Sequence, residues 1–130
     1  MIRILLVDDH PVVLDGLEAI LGTQADFDVV GMARGGAEAL ELIASLAPDV
    51  VLTDLEMPDV DGVETIRRGR ERSPQLRCIA FTAYDTDDRI LEAIRAGARG
   101  YLLKGAPRED VFRAIRVVYA GGSLLEPSIA

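Results

Sequence analysis

The chain has 130 residues, 49% of them hydrophobic, and its 22 acidic and 14 basic side chains give a net charge of -8. That length fits one compact domain, the apolar content argues against disorder, and the charge argues against non-specific nucleic-acid binding by this segment. The single cysteine, Cys78, excludes an internal disulfide, and one Cys with one His (His10) is a poor basis for a zinc site.

Ile4-Leu5-Leu6-Val7 is a short apolar run stopped by Asp8-Asp9, and it reads as a buried strand. It is too short for a secretory signal or a membrane span, and no later run reaches the roughly 18 residues a span needs, so a cytoplasmic location with no membrane partner is expected. Pro11 suits a first helical position, and Val13, Leu17, Ile20 and Leu21 recur at helical spacing up to Gly22. Val29-Val30-Gly31-Met32 is a weaker strand. From Gly36 a stripe of Ala37, Leu40, Ile43, Ala44 and Ala47 marks a helix ended by Pro48.

Val50-Val51-Leu52-Thr53 is the third strand, followed at once by Asp54. The segment Met57-Pro58-Asp59-Val60-Asp61-Gly62 has turn chemistry, and a polar helix follows from about Val63 to Glu71. Cys78-Ile79-Ala80-Phe81 is a fourth strand with Thr82 after it, and Ile90, Leu91 and Ile94 mark a helix closed by Gly97. Gly100-Tyr101-Leu102-Leu103 is a fifth strand followed by Lys104, and Pro107 opens a last helix that Gly121-Gly122 ends. Strands and helices alternate strictly, which predicts a parallel sheet covered on both faces. Ser123-Leu124-Leu125-Glu126-Pro127 reads as neither a helix nor a stable terminal strand.

Four strands end on polar side chains: Asp8 and Asp9, Asp54, Thr82, and Lys104. In an open parallel sheet these ends share one edge, where ligands bind. Each alone has a plainer role, the acids and Thr as helix N-caps and the lysine as a solvated charge. Their joint placement is what sets them apart. Three carboxylates at one edge repel one another unless a cation or a proton relieves them. A hard divalent ion such as magnesium suits one or two carboxylates together with phosphate oxygens. A carboxylate can also attack phosphorus to give an aspartyl phosphate, with the metal, a lysine and a hydroxyl offsetting the phosphoryl charge. His10 is read as a structural or surface residue at the start of the first helix.

Asp8-Asp9, Asp54-Leu55-Glu56-Met57-Pro58, Thr82-Ala83 and Tyr101-Leu102-Leu103-Lys104 together resemble the receiver domain of two-component response regulators, over about residues 2–121. The resemblance implies a flavodoxin-like (βα)5 fold, a doubly wound five-stranded parallel sheet in strand order 2-1-3-4-5. It implies magnesium-dependent transfer of a phosphoryl group from a sensor histidine kinase to Asp54, with manganese an acceptable substitute. Asp8, Asp9, Asp54 and the backbone carbonyl of Glu56 would hold the metal; Thr82 and Lys104 would contact the phosphoryl group. Thr82 and Tyr101 would form the switch, the ring moving inward on phosphorylation, and Glu56 and Tyr84 would tune the phosphoryl lifetime.

Asp9-His10-Pro11-Val12 and Gly121-Gly122-Ser123 are similar to the NarL/FixJ branch, in which a helix-turn-helix DNA-binding domain follows the receiver. Residues 1–121 are then the receiver and 122–130 the start of a linker, with DNA reached only through an output domain. A homodimer through the fourth helix, fifth strand and fifth helix is a further expectation, with Asp87, Asp88, Arg89, Arg95, Arg99, Arg113 and Arg116 as charges that would pair or remain solvated. Gly105 stands where many receivers have proline after the lysine, so whether the Lys104-Gly105 peptide is cis is left open. Haloacid-dehalogenase-type phosphatases share the Asp, Thr, Lys and magnesium set, but their first strand ends in Asp-x-Asp, whereas here the aspartates are adjacent. A receiver fold that no longer takes phosphate would lack one of these site residues, and none is missing.

Overall fold

The computed structural model describes residues 1–83 and 86–125. The elements run β1 (Ile2–Val7), α1 (Pro11–Leu21), β2 (Phe27–Ala33), α2 (Gly36–Leu46), β3 (Val50–Thr53), α3 (Gly62–Arg72), β4 (Arg77–Thr82), α4 (Asp87–Ala96), β5 (Gly100–Leu103), α5 (Arg108–Tyr119) and β6 (Leu124–Leu125). Every strand pair is parallel, in the order β2-β1-β3-β4-β5-β6.

The two-residue period of the strands builds two cores. Ile4 and Leu6 of β1, Leu52 of β3, Ile79 and Phe81 of β4 and Leu102 of β5 face Leu14, Leu17 and Leu21 of α1 and Val111, Ile115 and Val118 of α5. Leu5, Val7, Val51, Cys78, Ala80 and Tyr101 face the other way, against Leu40 and Ile43 of α2, Ile66 of α3 and Ile90 and Ala93 of α4. A strand buried on both faces must be apolar at nearly every position, which is why β1 and β3 read as continuous apolar runs. The five-stranded order 2-1-3-4-5 agrees with the flavodoxin-like expectation.

The turn-forming stretch after β3 ties two helices to the sheet edge. Asp61 caps α3, its carboxylate accepting the Glu64 N–H at 2.9 Å. Asp59 caps α2, whose own first position is the side-chain-free Gly35: its carboxylate accepts the Gly36 and Ala37 N–H groups, each at 3.2 Å. These backbone hydrogen bonds hold the Asp59 carboxyl below its ordinary range despite some desolvation. Gly62 is required by close approach, because a Cβ there would lie 2.0 Å from the Asp54 carbonyl oxygen. Gly97 closes α4 at φ 113, in the left-handed region.

Two expectations change, and one open question is answered. The buried stripe of α1 is Leu14, Leu17 and Leu21, with Val13 and Ile20 only partly covered, so the helix is rotated slightly from the face its sequence suggested. Leu124 and Leu125, read as neither helix nor strand, pair with Gly100 and Tyr101 as a sixth strand. Two residues carry too little periodicity to be seen, yet β5 otherwise offers an open edge, and the Leu124 N–H meets the Arg99 carbonyl at 2.9 Å. Among the described residues no peptide is cis, which makes Lys104-Gly105 trans.

Candidate functional site

The polar strand ends do converge. Three backbone hydrogen bonds carry the parallel ladders one residue past the strands: Asp8 N–H to Ala33 O at 3.0 Å, Asp54 N–H to Val7 O at 2.9 Å, and Lys104 N–H to Thr82 O at 2.9 Å. The sheet register itself therefore fixes where these side chains start. Lys104 Nζ lies 2.7 Å from Asp8 Oδ2 and 3.3 Å from Asp54 Oδ2, bridging carboxylates that are only 1% and 4% exposed. Thr82 is buried at the end of β4, and the Tyr101 ring is fully buried under α4. Tyr84, expected to tune the phosphoryl lifetime, lies outside the described residues.

The electrostatics follow from burial. Desolvation pushes the Asp54 carboxyl above its ordinary range; Lys104 opposes this, Asp8 adds to it, and the Glu56 N–H, donating to Asp54 Oδ1 at 3.3 Å, lowers it. Burial alone would lower the Lys104 ammonium, but Asp8 and Asp54 outweigh it and hold the pKa above its usual value. The lysine is thus held in its charged form, while burial makes the Asp54 anion costly.

Asp8, Asp9, His10 and Asp54 each offer a ligand atom within 4.8 Å of the others. Two acceptor oxygens here are sealed from solvent: Asp8 Oδ2, with only the Lys104 ammonium beside it, and Asp9 Oδ1, with only the His10 ring. Buried acceptor oxygens left in that state are costly unless a cation completes them. The oxygen-rich set suits a hard divalent ion better than zinc. His10, read as a structural or surface residue, has a ring 62% exposed, with Nδ1 2.9 Å from Asp8 Oδ1 and 3.1 Å from Asp9 Oδ1. The signal for these contacts was its position two residues after Asp8, where its own N–H also reaches Asp8 Oδ1 at 2.9 Å.

Several of the charges expected to pair across a dimer or stay solvated also make contacts within the chain. Arg116 forks onto Asp26 at 2.8 and 2.9 Å and covers the Phe27 ring, its centroid 4.7 Å away. Arg99 donates to Gly121 O, and Arg113 lies 3.8 Å from Asp110. Arg89 reaches back to the segment after Asp54, meeting Glu56 Oε1 at 2.9 Å and Leu55 O at 3.2 Å. Sequence spacing could not reveal these contacts, because most join residues far apart in the chain.

A family profile, the response regulator receiver domain, matches residues 4–116. The DNA-binding transcriptional activator DevR/DosR of Mycobacterium tuberculosis is 43% identical over 126 residues, covering 97% of this chain and 58% of that protein. The nitrate/nitrite response regulator protein NarL of Escherichia coli is 37% identical over the same shares of the two chains. The chain therefore spans about three fifths of the length of these relatives. Among solved structures, a LuxR-family two-component response regulator from Aurantimonas superposes with a TM-score of 0.93 at 34% identity, covering 98% of this chain and 91% of that one. The signal receiver domain of the putative response regulator NarL from Mycobacterium tuberculosis gives 0.89 at 34% identity, over 92% and 97%.

Proposed function

The chain belongs to the response regulator receiver family, a signalling domain related to transcriptional activators, and from that premise we propose that Asp54 stores a phosphoryl group received from a sensor histidine kinase. The observation that carries the reading is the buried Asp54 carboxylate, bridged through Lys104 to Asp8 beside the sealed Asp9 Oδ1. Asp8, Asp9, Asp54 and the Glu56 carbonyl would hold a magnesium ion, which when bound supplies positive charge against the phosphoryl oxygens. Lys104 holds Asp54 in place and then pairs with a phosphoryl oxygen. The Thr82 hydroxyl donates to another.

The domain acts once per signal and is not a multiple-turnover phosphatase. The added charge of about -1.5 to -2 biases Thr82 and Tyr101, and through them the face made by α4, β5 and α5. Leu91 and Ile94 of α4 are large apolar side chains exposed on that face, which supports a homodimer there. The output is transcription regulation through a DNA-binding domain, and the setting is cytoplasmic. Between α1 and the start of α5, Val12 is 82% exposed beside a cavity of about 360 Å³ that reaches Phe81, Lys104 and Val111. That apolar approach is where we place the phosphohistidine donor.

The test is intact-mass measurement after incubation with acetyl phosphate and magnesium. The native chain should gain one phosphoryl group and stop there, while Asp54→Asn should gain none. A native chain that gains nothing would leave only a binding module, and repeated turnover of a phosphomonoester would favour a phosphatase.

A further inference from the structure

We propose that Arg89 sets the lifetime of the phosphoryl group by holding the Glu56 carboxylate away from the acyl phosphate. The inference rests on the phosphoacceptor reading of Asp54 and adds a residue on another element to it. Arg89 lies in the first turn of α4, and its side chain is four-fifths buried. Its guanidinium spans three acceptors: Glu56 Oε1 at 2.9 Å, Leu55 O at 3.2 Å and, one turn along its own helix, Glu92 Oε2 at 2.9 Å. Two of these belong to the two residues that follow Asp54. The arginine is thus a clamp from α4 onto the segment that carries the phosphoacceptor.

Energy is not the point of the clamp. Glu56 and Glu92 are about half exposed, and ion pairs of that kind contribute little to stability. Position and charge are the point. Glu56 N–H donates to Asp54 Oδ1, so its side chain starts within a few ångströms of the reacting atoms. In hydrolysis a water oxygen bonds to phosphorus, the P–O bond to Asp54 breaks, and its electron pair returns to the carboxylate. The departing phosphate keeps the water oxygen and both protons, in exchange with bulk. A carboxylate free to orient that water and take its proton in passing speeds the step, since positioned bases contribute large factors. Held by Arg89, Glu56 is turned to α4 and its charge is matched.

The same contact couples the two ends of the signal. Any movement of α4 that lengthens the Arg89–Glu56 pair frees the base, so a partner that docks on α4 alters how long the phosphoryl group lasts. Glu56 alone, without a partner on a neighbouring element, would give a fixed lifetime. With Arg89 the lifetime depends on where α4 sits.

The experiment uses the full chain, phosphorylated with acetyl phosphate, transferred to magnesium buffer without donor, and followed by intact mass. Four variants are compared with the native chain: Arg89→Met, Arg89→Lys, Glu56→Gln and the Arg89→Met/Glu56→Gln pair. Arg89→Met should lose phosphate about 3- to 10-fold faster, a small part of what a well-aligned base achieves. Arg89→Lys should fall between, because it keeps the charge but not the fork. The pair should decay at the Glu56→Gln rate, and melting temperatures of all four should stay close to native. Unchanged or slower decay in Arg89→Met would overturn the proposal, and so would an equal acceleration in the Glu56→Gln background. A native chain that never gains a phosphoryl group would instead refute the phosphoacceptor reading, and the lifetime role with it.

Discussion

Lys104→Met removes, among the described residues, the cation that touches both Asp8 and Asp54. At an effective dielectric of about 20, charges 2.7 and 3.3 Å apart attract by about 6 and 5 kcal/mol. Desolvation of the three groups offsets much of this, and removing one partner of a buried pair typically costs about 3–5 kcal/mol. Lys104 keeps a fifth of its side chain in solvent, so the lower end, about 3 kcal/mol, is expected. For a domain of this size that is a melting temperature lower by about 10 °C near neutral pH. The pH dependence carries the sharper test. The Lys104 pKa is raised above its ordinary 10.5 in the fold, so its contribution is complete below 10.5 and is lost as pH rises through the folded value. Asp54 is raised above 3.8 chiefly by burial, so its ionised form opposes folding and acidification relieves it. Lys104 is the main group pulling Asp54 down, and without it Asp54 takes up a proton sooner. The gap between native and variant should narrow toward both acid and alkaline pH, and magnesium should raise the variant's melting temperature more than the native chain's. Scanning calorimetry across pH, with and without magnesium, measures all of this. A loss under about 3 °C at neutral pH, or a gap that ignores pH, would refute the account.

Gly62→Ala puts a methyl carbon 2.0 Å from the Asp54 carbonyl oxygen and 2.6 Å from Leu55 Cα, both backbone, so it should cost at least the roughly 1–3 kcal/mol of ordinary overpacking and slow acetyl phosphate labelling of Asp54. Gly16→Ala meets nothing within 4 Å at an exposed position inside α1 and should instead stabilise by about 1 kcal/mol, seen as a higher urea midpoint with an unchanged slope. Val12→Asp should leave labelling by acetyl phosphate intact but slow transfer from a phosphorylated histidine kinase, and equal rates with both donors would remove α1 as the approach. Burial pushes the Cys78 thiol up to about 12, so alkylation should follow global unfolding, and fast labelling of the folded chain at neutral pH would contradict the packing of β4.

The strands were legible because burial on both faces leaves no room for polar residues between their ends. β3 and β5 span the stretches read as strands, Val50–Thr53 and Gly100–Leu103, and the first charged residue beyond each is Asp54 or Lys104. The site was legible for the same reason, since chemistry that must sit at the strand ends interrupts the apolar pattern there. Contacts made by long side chains between elements were not. Arg89 and Arg116 look alike in sequence, two arginines on amphipathic helices, yet one closes on the segment after Asp54 and the other on the α1–β2 connection. Asp59 was equally hidden: it reads as a turn residue, but it caps a helix 22 positions earlier because α2 begins at a glycine with no side chain to offer. Periodicity reports which face of an element is covered and says nothing of what a guanidinium or carboxylate at its rim will find.

The charges at the sheet edge can be followed through the proposed reaction. Before it, Lys104 sits closer to Asp8 than to Asp54, at 2.7 against 3.3 Å, and so screens one of the carboxylates a metal would use. Phosphorylation replaces the single negative charge on Asp54 with about -1.5 to -2 spread over acceptor oxygens that stand further out from the strand. The ammonium is then drawn from Asp8 to the phosphoryl group, because the larger and less buried charge attracts it more. Asp8 loses its counter-ion at the moment a bound metal needs its full charge. A bound metal and the lysine would therefore be partners after phosphorylation and competitors before it. On this argument the native chain should bind magnesium weakly until Asp54 is modified, and Lys104→Met should bind it more tightly in the unmodified state. Isothermal titration of both proteins with magnesium decides the point: equal affinities would mean that Lys104 does not occupy the metal's share of Asp8.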